Sequence, residues 1–264
     1  MTTTPSQFLS ICEYIGLSLQ KEIEPLIGNQ RGGRVVGMGA DNTPTEYIDQ
    51  VAEDLVISIL KSKKACTELL SEEKGWVDIG GDSNIAYLDP IDGTYNAVSG
   101  IPYYALSIAL SDGEKLLAGY VKDLSNGDTF TAINGQGAYL NCQPIHVSTE
   151  LMLDHSAMSI YGKKFDITRM IQLGHKIRRW RLLGASALEL CYVACGRIDG
   201  FVDLRNTLRI TDAAAGILIC QESGGIVTRT DGKPLVYPNN VDVGFNIVAT
   251  NNVIHQKVIE YLRS

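Results

Sequence analysis

The residue types best suited to chemistry stand in the segment DPIDGT at residues 89–94. Its two carboxylates, Asp89 and Asp92, are three residues apart and suit a hard cation that prefers oxygen ligands. Proline fixes one backbone dihedral, and glycine lets the backbone approach a bound group closely. A surface turn with solvated acids is the alternative, because Asp, Pro and Gly are common in turns. The nearby Glu72 and the distant Asp212 favour the cation site.

A second motif, TDAAAG at residues 211–216, begins a predicted helix and places Asp212 near its start. The helix dipole favours a carboxylate at this end of a helix. Such a residue often does no more than cap the first backbone amides. The motif by itself is therefore compatible with either a cap or a cation ligand.

Two segments resemble the signatures of the inositol monophosphatase family. The first is YLDPIDGTYN at residues 87–96, and the second is residues 211–216, followed by ESGG at residues 222–225. The likeness extends from about Thr45 to Ala249. It is greatest to archaeal members, which hydrolyse both inositol monophosphate and fructose 1,6-bisphosphate.

The resemblance implies a metal-dependent phosphatase. Mg²⁺ is the expected cofactor, with Mn²⁺ as a possible substitute and two or three ions per site. A set of oxygen ligands without His or Cys favours these ions over zinc. The implied ligands are Glu72, Asp89, the main-chain carbonyl of Ile91, Asp92 and Asp212.

The same resemblance implies that water attacks the phosphate directly, without a covalent intermediate. Glu72 and Thr94 are the residues expected to hold this water, and Asp49 is expected to orient the Thr94 hydroxyl. Some archaeal relatives have serine at the position of Thr94, which keeps the hydroxyl. Without the resemblance, Asp49 is typical of a solvated residue on a predicted helix.

The second half of the chain is expected to select the substrate. Arg181 and Arg205 are expected to bind a second phosphate, since guanidinium suits bidentate phosphate contact. Each arginine has a solvated or structural ion pair as its alternative. Asp203 is expected to accept sugar hydroxyls, and Tyr161 is expected to close the far end of the site, with Lys163 nearby. The expected substrate contacts are Asp92, Gly93, Thr94, Tyr161, Arg181, Gly184, Ser186, Asp203 and Arg205.

The composition is that of an ordinary globular protein of 264 residues, with 45% apolar and 20% charged residues. A formal net charge of −7 argues against nucleic acid as a partner. No run reaches the roughly 18 apolar residues of a membrane helix, and the N-terminus lacks the pattern of a signal peptide. With six cysteines in no CxxC spacing, we expect a cytoplasmic protein. The resemblance implies a homodimer that acts on a small-molecule sugar phosphate.

The pattern of apolar residues changes near residue 148. Strands separated by glycine-containing turns precede this point and favour an antiparallel sheet. Strands alternate with helices after it, which favours a mixed sheet with helical crossovers. We predict an α+β (mixed α/β) chain, and the resemblance implies a layered α-β-α-β-α sandwich of the sugar-phosphatase type. Residues 1–147 would form a subdomain with most metal ligands, and residues 148–264 a subdomain with the last ligand and the substrate contacts.

Two local assignments near the N-terminus bear on the site. A helix is predicted from Thr43-Pro44 to about Ser62, because threonine caps helices and proline suits the first helical position. Residues 28–39 are rich in glycine and are predicted to form a mobile loop. This loop is either a plain connector or a lid over an anionic substrate.

Three functions remain open at this point. The favoured one is a Mg²⁺-dependent phosphatase for inositol 1-phosphate and fructose 1,6-bisphosphate. A nucleotide 3′-phosphatase acting on adenosine 3′,5′-bisphosphate shares the metal motifs. An inactive relative that binds phosphorylated ligands is expected to have lost a metal acid or the hydroxyl. All of these groups are present, namely Asp49, Glu72, Asp89, Asp92, Thr94 and Asp212.

Overall fold

The computed structural model describes residues 3–40, 42–81, 83–162, 168–238 and 240–263. Within these ranges, no helix is both long enough and apolar enough to cross a membrane. The helices are α1 Pro5–Ile23, α2 Tyr47–Lys63, α3 Thr94–Ser99, α4 Thr168–Gly174, α5 Ser186–Ala194, α6 Ile210–Glu222 and α7 His255–Arg263. The strands are β1 Val35–Met38, β2 Pro44–Glu46, β3 Glu68–Ser71, β4 Gly75–Asp78, β5 Ile85–Asp92, β6 Ala105–Ser111, β7 Leu116–Asp123, β8 Thr129–Ile133, β9 Ala138–Leu140, β10 Gln143–Pro144, β11 Ala157–Tyr161, β12 Arg179–Arg181, β13 Gly200–Leu208, β14 Ile226–Thr228 and β15 Phe245–Thr250.

These elements stack in five layers. Helices α1 and α2 cover one face of an eight-stranded sheet with the order β10-β9-β8-β7-β6-β5-β3-β4. Helices α5 and α6 lie between this sheet and a five-stranded sheet with the order β12-β11-β13-β15-β14. Helices α4 and α7 pack on the outer face of the second sheet. The predicted α+β class and the layered α-β-α-β-α arrangement are confirmed.

The centre of the molecule is the layer that contains α6. A helix that is apolar all round must be buried on all sides, and α6 is buried at every position from Ile210 to Cys220. It packs closely on β7, where a Cβ at Gly119 would come within 2.8 Å of the Ala215 carbonyl oxygen. The largest core cluster draws residues from both sheets. The two halves of the chain therefore share one core, and the division at residues 147 and 148 stays a prediction.

The helix predicted at Thr43-Pro44 begins later, at Tyr47, and Pro44–Glu46 is instead strand β2. This strand pairs with β1, so the predicted loop at residues 28–39 is partly a strand as well. The local capping signal is outweighed because the two strands form an antiparallel ladder. Proline is compatible with a strand at a sheet edge, where its missing N–H costs no ladder bond.

The predicted antiparallel meander is wrong at one pair, because β3 and β5 run parallel. Strand β4, which the sequence pattern did not indicate, is the antiparallel neighbour of β3. Parallel strands end at the same edge of a sheet. In the register, Ser71 lies opposite Leu88, and the Glu72 amide donates to the Leu88 carbonyl at 3.2 Å. This pairing brings the residue after β3 beside Asp89.

Candidate active site and metal centre

Three carboxylates from distant parts of the chain meet at this edge of the large sheet. Glu72 follows β3, Asp89 lies within β5, and Asp212 lies in the first turn of α6. One oxygen of each lies within 4.8 Å of the others. We call these three residues the acidic cluster. The sequence analysis proposed all three as ligands, and the structure brings them together.

The electrostatics of the acidic cluster favour a bound cation. Burial raises the pKa of Glu72 to about 7, with Arg209 opposing this rise and Asp212 adding to it. Burial also holds the pKa of Asp89 well above its usual range, and the charge of Glu72 raises it further. Desolvated like charges at this distance are costly unless an opposite charge balances them. An all-oxygen set of this kind fits a hard divalent cation.

Arg209 contacts the acidic cluster, and the sequence analysis missed it. Its Nη2 lies 2.6 Å from Glu72 Oε1, and its Nε lies 3.1 Å from Asp212 Oδ1. The Arg209 amide also donates to Asp212 Oδ2 at 3.2 Å. Asp212 therefore caps its own helix in addition to facing the cluster. The available signal was the position of Arg209, one helical turn before Asp212, where side chains share a face.

Asp92 lies at the end of β5 and outside the acidic cluster. Its Oδ2 accepts a hydrogen bond of 2.5 Å from the Ala187 amide at the start of α5. Burial, followed by the charge of Asp212, holds the pKa of Asp92 well above its usual range. The next residue, Gly93, has a φ of 91°, and a Cβ there would lie 3.1 Å from the Gly184 carbonyl oxygen. Only glycine suits both this backbone angle and this close approach.

The structure also brings together Thr94 and Asp49, which lie on different helices. The Thr94 hydroxyl oxygen lies 2.9 Å from Asp49 Oδ1 and 2.9 Å from the Ile91 carbonyl oxygen. Because a hydroxyl has one proton, it donates to one of these acceptors at a time. Asp49 is buried in the first turn of α2, and burial together with the charge of Glu72 raises its pKa.

A cavity of about 460 Å³ opens in front of these acids. Five of the predicted substrate contacts line it, namely Asp92, Tyr161, Gly184, Ser186 and Arg205. The sequence analysis did not identify the other lining residues as substrate contacts. These are Thr43, Asn206, Thr207, Arg209, Asp212, Val241, Asp242 and Gly244.

The expectation that Asp203 accepts sugar hydroxyls is corrected by its burial. Its side chain is fully buried, and Asp203 Oδ2 accepts from Arg205 Nη2 at 2.6 Å. A carboxylate without exposed surface cannot reach a sugar in the cavity. The Arg205 guanidinium also lies 4.4 Å from the centre of the Tyr161 ring. Asp203 and Tyr161 thus hold Arg205 in place.

Tyr161 is itself held from behind by a residue of α5. Its hydroxyl donates to Glu189 Oε2 at 2.9 Å and accepts from the Gly184 amide at 2.9 Å. Glu189 Oε1 also accepts from the Leu183 amide at 3.2 Å. Burial raises the pKa of Glu189 to about 7. The turn that lines the cavity is therefore fixed to α5 through Glu189.

The two other predicted cationic contacts stand apart from this arrangement. Arg181 is exposed on β12, donates to the Trp180 carbonyl at 3.2 Å, and is not among the residues that line the cavity. Arg181 therefore does not face the cavity in which a second phosphate is expected to bind. Lys163 lies outside the described residues.

Known proteins similar to this chain include phosphatases, in agreement with the metal centre proposed for the acidic cluster. The model of the inositol monophosphatase family matches residues 9–264. The fructose-1,6-bisphosphatase/inositol-1-monophosphatase of Methanothermobacter thermautotrophicus is 40% identical over 260 residues, which cover 92% of each chain. The bifunctional NADP phosphatase/NAD kinase of Methanococcus maripaludis is 34% identical over 93% of this chain, which spans 47% of that relative.

The fold shows the same relationship. An inositol monophosphatase-fructose 1,6-bisphosphatase of known structure superposes with a TM-score of 0.87 at 31% identity, covering 96% of this chain and 98% of the other. The family is metal-dependent, and the acidic cluster fits that requirement. This chain therefore belongs to the inositol monophosphatase family and is a phosphatase.

Proposed function

We propose that this protein is a Mg²⁺-dependent phosphatase that hydrolyses small sugar phosphates, with inositol 1-phosphate and fructose 1,6-bisphosphate as substrates. Mn²⁺ is proposed as a substitute for Mg²⁺. The observation that carries the proposal is the acidic cluster, whose ligand atoms lie within 4.8 Å of one another beside a cavity of about 460 Å³. The name of the 40% identical archaeal relative supports this pair of substrates.

The proposed ligands are the acidic cluster, the Asp92 carboxylate and the Ile91 carbonyl, with two or three ions per site. Divalent cations in such a site supply Lewis acidity, which lowers the pKa of a bound water and shields the leaving oxygen. Asp92 is suited to a shared role, since backbone amides at the start of α5 orient its carboxylate. The same residue lines the cavity, so it links the ligand set to the substrate.

The nucleophile is proposed to be water held by Thr94 and Glu72. When the Thr94 hydroxyl donates a hydrogen bond to Asp49, at 2.9 Å, its oxygen can accept a hydrogen bond from the attacking water and so orient it. We propose that this water attacks the phosphate directly, without a covalent intermediate.

The far wall of the cavity is proposed to hold the sugar and, in a bisphosphate, the second phosphate. Gly184 and Ser186 lie at the turn into α5, where they would contact the sugar ring. Arg205 is the proposed contact for the second phosphate, because guanidinium forms bidentate hydrogen bonds to phosphate oxygens. Its position against Tyr161 is set before any substrate arrives.

Phosphate release from a panel of substrates tests the proposal. With Mg²⁺ present, inositol 1-phosphate and fructose 1,6-bisphosphate should be hydrolysed, and excess chelator should abolish the release. The acids bring negative charge but no Lewis acid of their own, so activity depends on the added ion. Full activity in excess chelator contradicts the proposal.

A nucleotide phosphatase is the second candidate. It is favoured by the relative named as an NADP phosphatase, which is 34% identical over 93% of this chain. A cavity of about 460 Å³ is within the ordinary size of small-molecule sites, about 300–1,000 Å³. The panel therefore includes NADP and adenosine 3′,5′-bisphosphate. If kcat/KM is highest for either nucleotide, the sugar-phosphate assignment is replaced.

A further inference from the structure

We infer that Arg209 is a built-in counter-cation of the acidic cluster, which a divalent cation must displace in order to bind. The inference rests on the metal site proposed above and concerns how that site is loaded. Arg209 bonds to Glu72 at 2.6 Å and to the two oxygens of Asp212 at 3.1 and 3.2 Å. It bridges an acid from the large sheet and an acid from α6.

Arg209 contacts carboxylates that the proposed cation would require. Glu72 and Asp212 are two of the three residues in the acidic cluster, and Arg209 bonds to both at once. The side chains of Arg209, Glu72 and Asp212 are 20%, 15% and 10% exposed. Limited exposure reduces solvent screening, so the attraction between these charges is strong. A divalent cation in the same gap would meet the positive charge of Arg209 at close range.

The backbone and the side chain of Arg209 have different surroundings. Its backbone is held at the start of α6, because its amide donates to Asp212. Its side chain lines the cavity, which leaves space beside the cluster for a displaced guanidinium. Binding of the cation is thus an exchange of one positive charge for another. Without metal, Arg209 offsets part of the negative charge of Glu72 and Asp212, and the same contact lowers the affinity for metal.

The ion pair of Arg205 with Asp203 differs from that of Arg209, because it lies outside the proposed metal ligands. Asp203 is fully buried and lies outside the acidic cluster. In the hydrogen bonds of the described residues, the Asp203 carboxylate is bonded to Arg205, and it is not a proposed metal ligand. Arg209 differs because its partners belong to the proposed metal site.

The test compares Mn²⁺ binding in the full-length wild type, Arg209→Gln and a matched control. Arg197→Gln is the control, since Arg197 pairs with Asp128 at 2.8 Å and does not line the cavity. Free Mn²⁺ is measured by electron paramagnetic resonance during titration. R209Q should bind Mn²⁺ about ten-fold more tightly or better, because the charge-assisted contacts of Arg209 no longer compete with the cation. R197Q should bind as the wild type does.

Thermal unfolding supplies a second readout that is independent of activity. In chelator, R209Q should unfold at a lower temperature than the wild type, because its buried carboxylates have lost their partner. Added Mn²⁺ should raise the unfolding temperature of R209Q by more than it raises those of the wild type and R197Q. R209K keeps the charge without the bidentate fork and should have intermediate Mn²⁺ affinity. It also serves as the test variant if R209Q does not fold.

Two outcomes overturn the inference in distinguishable ways. Equal or weaker Mn²⁺ binding by R209Q, with normal binding by the wild type, shows that Arg209 does not compete, and the proposed metal site stands. An absence of Mn²⁺ binding by the wild type shows that the proposed metal site itself is wrong, and the role of Arg209 is lost with it.

Discussion

Two charged regions beside the cavity, the acidic wall at the acidic cluster and the arginine wall at Arg205, are stabilised in different ways. On one side, Glu72 and Asp89 are crowded with Asp212, and burial raises the pKa of both Glu72 and Asp89. On the other side, Arg205 is paired with the fully buried Asp203. The single positive charge of Arg209 offsets only part of the charge of the acidic wall, which is therefore suited to bind a cation, whereas Arg205 and Asp203 balance each other within the protein. Substitutions on the first wall should affect the chemistry, and substitutions on the second should affect substrate preference or stability.

The largest expected effect follows from removing a charge of the acidic wall. Asp89→Asn should lower kcat by about a thousand-fold, since the bound cations provide several kcal/mol of charge stabilisation. Asp78→Asn is the control, because Asp78 is exposed on β4. Steady-state phosphate release with Mg²⁺ measures both variants. A loss in D89N below ten-fold would contradict this prediction, because it would show that the acids are not essential for the chemistry.

The next effect concerns the hydroxyl beside the acidic wall. Thr94→Ala should reduce kcat by about 100-fold and change KM little, because the hydroxyl positions water chiefly in the transition state. Thr94→Ser keeps the hydroxyl that lies 2.9 Å from Asp49 and should retain most activity. Both parameters are measured with inositol 1-phosphate. Equal loss in the two variants would show that the methyl group, and not the hydroxyl, matters.

The arginine wall should discriminate between substrates. Arg205→Ala should weaken hydrolysis of fructose 1,6-bisphosphate by about 1.5–3 kcal/mol in kcat/KM, the range of a charge-assisted hydrogen bond. Inositol 1-phosphate, which has one phosphate, should be affected far less. Equal loss on both substrates would make Arg205 a structural partner of Asp203 alone.

A control for Arg205 must address the charge that the substitution leaves behind. Asp203 has no exposed surface, so R205A leaves a buried carboxylate without its partner and should destabilise the fold. The double variant with Asp203→Asn removes that charge as well. It should recover stability in thermal unfolding while it keeps the loss on the bisphosphate.

The smallest effect is on stability and concerns the residue behind Tyr161. Burial raises the pKa of Glu189 from 4.5 to about 7, so the folded state holds its proton more tightly than the unfolded state does. Stability from this proton is present below pH 4.5 and is lost as pH rises through 7. Relative to Glu189→Gln, the wild type should lose about 2 kcal/mol of unfolding free energy between pH 5 and 7.5. Denaturant unfolding with Mg²⁺ present at each pH measures this, and parallel pH profiles would contradict it.

Local sequence patterns were sufficient for most elements of the fold. Glycine-containing turns before residue 148 predicted a series of strands, and strands β6 to β9 are found there. Prediction failed at Pro44, where a local helix-start signal gave way to pairing of β2 with β1. It failed again at β3 and β5, because the direction of strand pairing depends on which segments meet in space. Neither the pairing of β1 with β2 nor that of β3 with β5 can be predicted from a short stretch of sequence.

The candidate site divides in the same way. Local spacing was sufficient to predict that Asp89, Asp92 and Thr94 lie close together, because a single strand, turn and helix start carries them, whereas the proposed roles of Ile91 and Thr94 came from the family resemblance. Tertiary structure decided that Arg209 bonds to the acidic cluster. It also decided that Asp203 is buried against Arg205 and that Arg181 stands outside the cavity. Charge and residue type show which groups can bind an anion or a cation, but burial and long-range pairing determine which of them are already neutralised inside the protein.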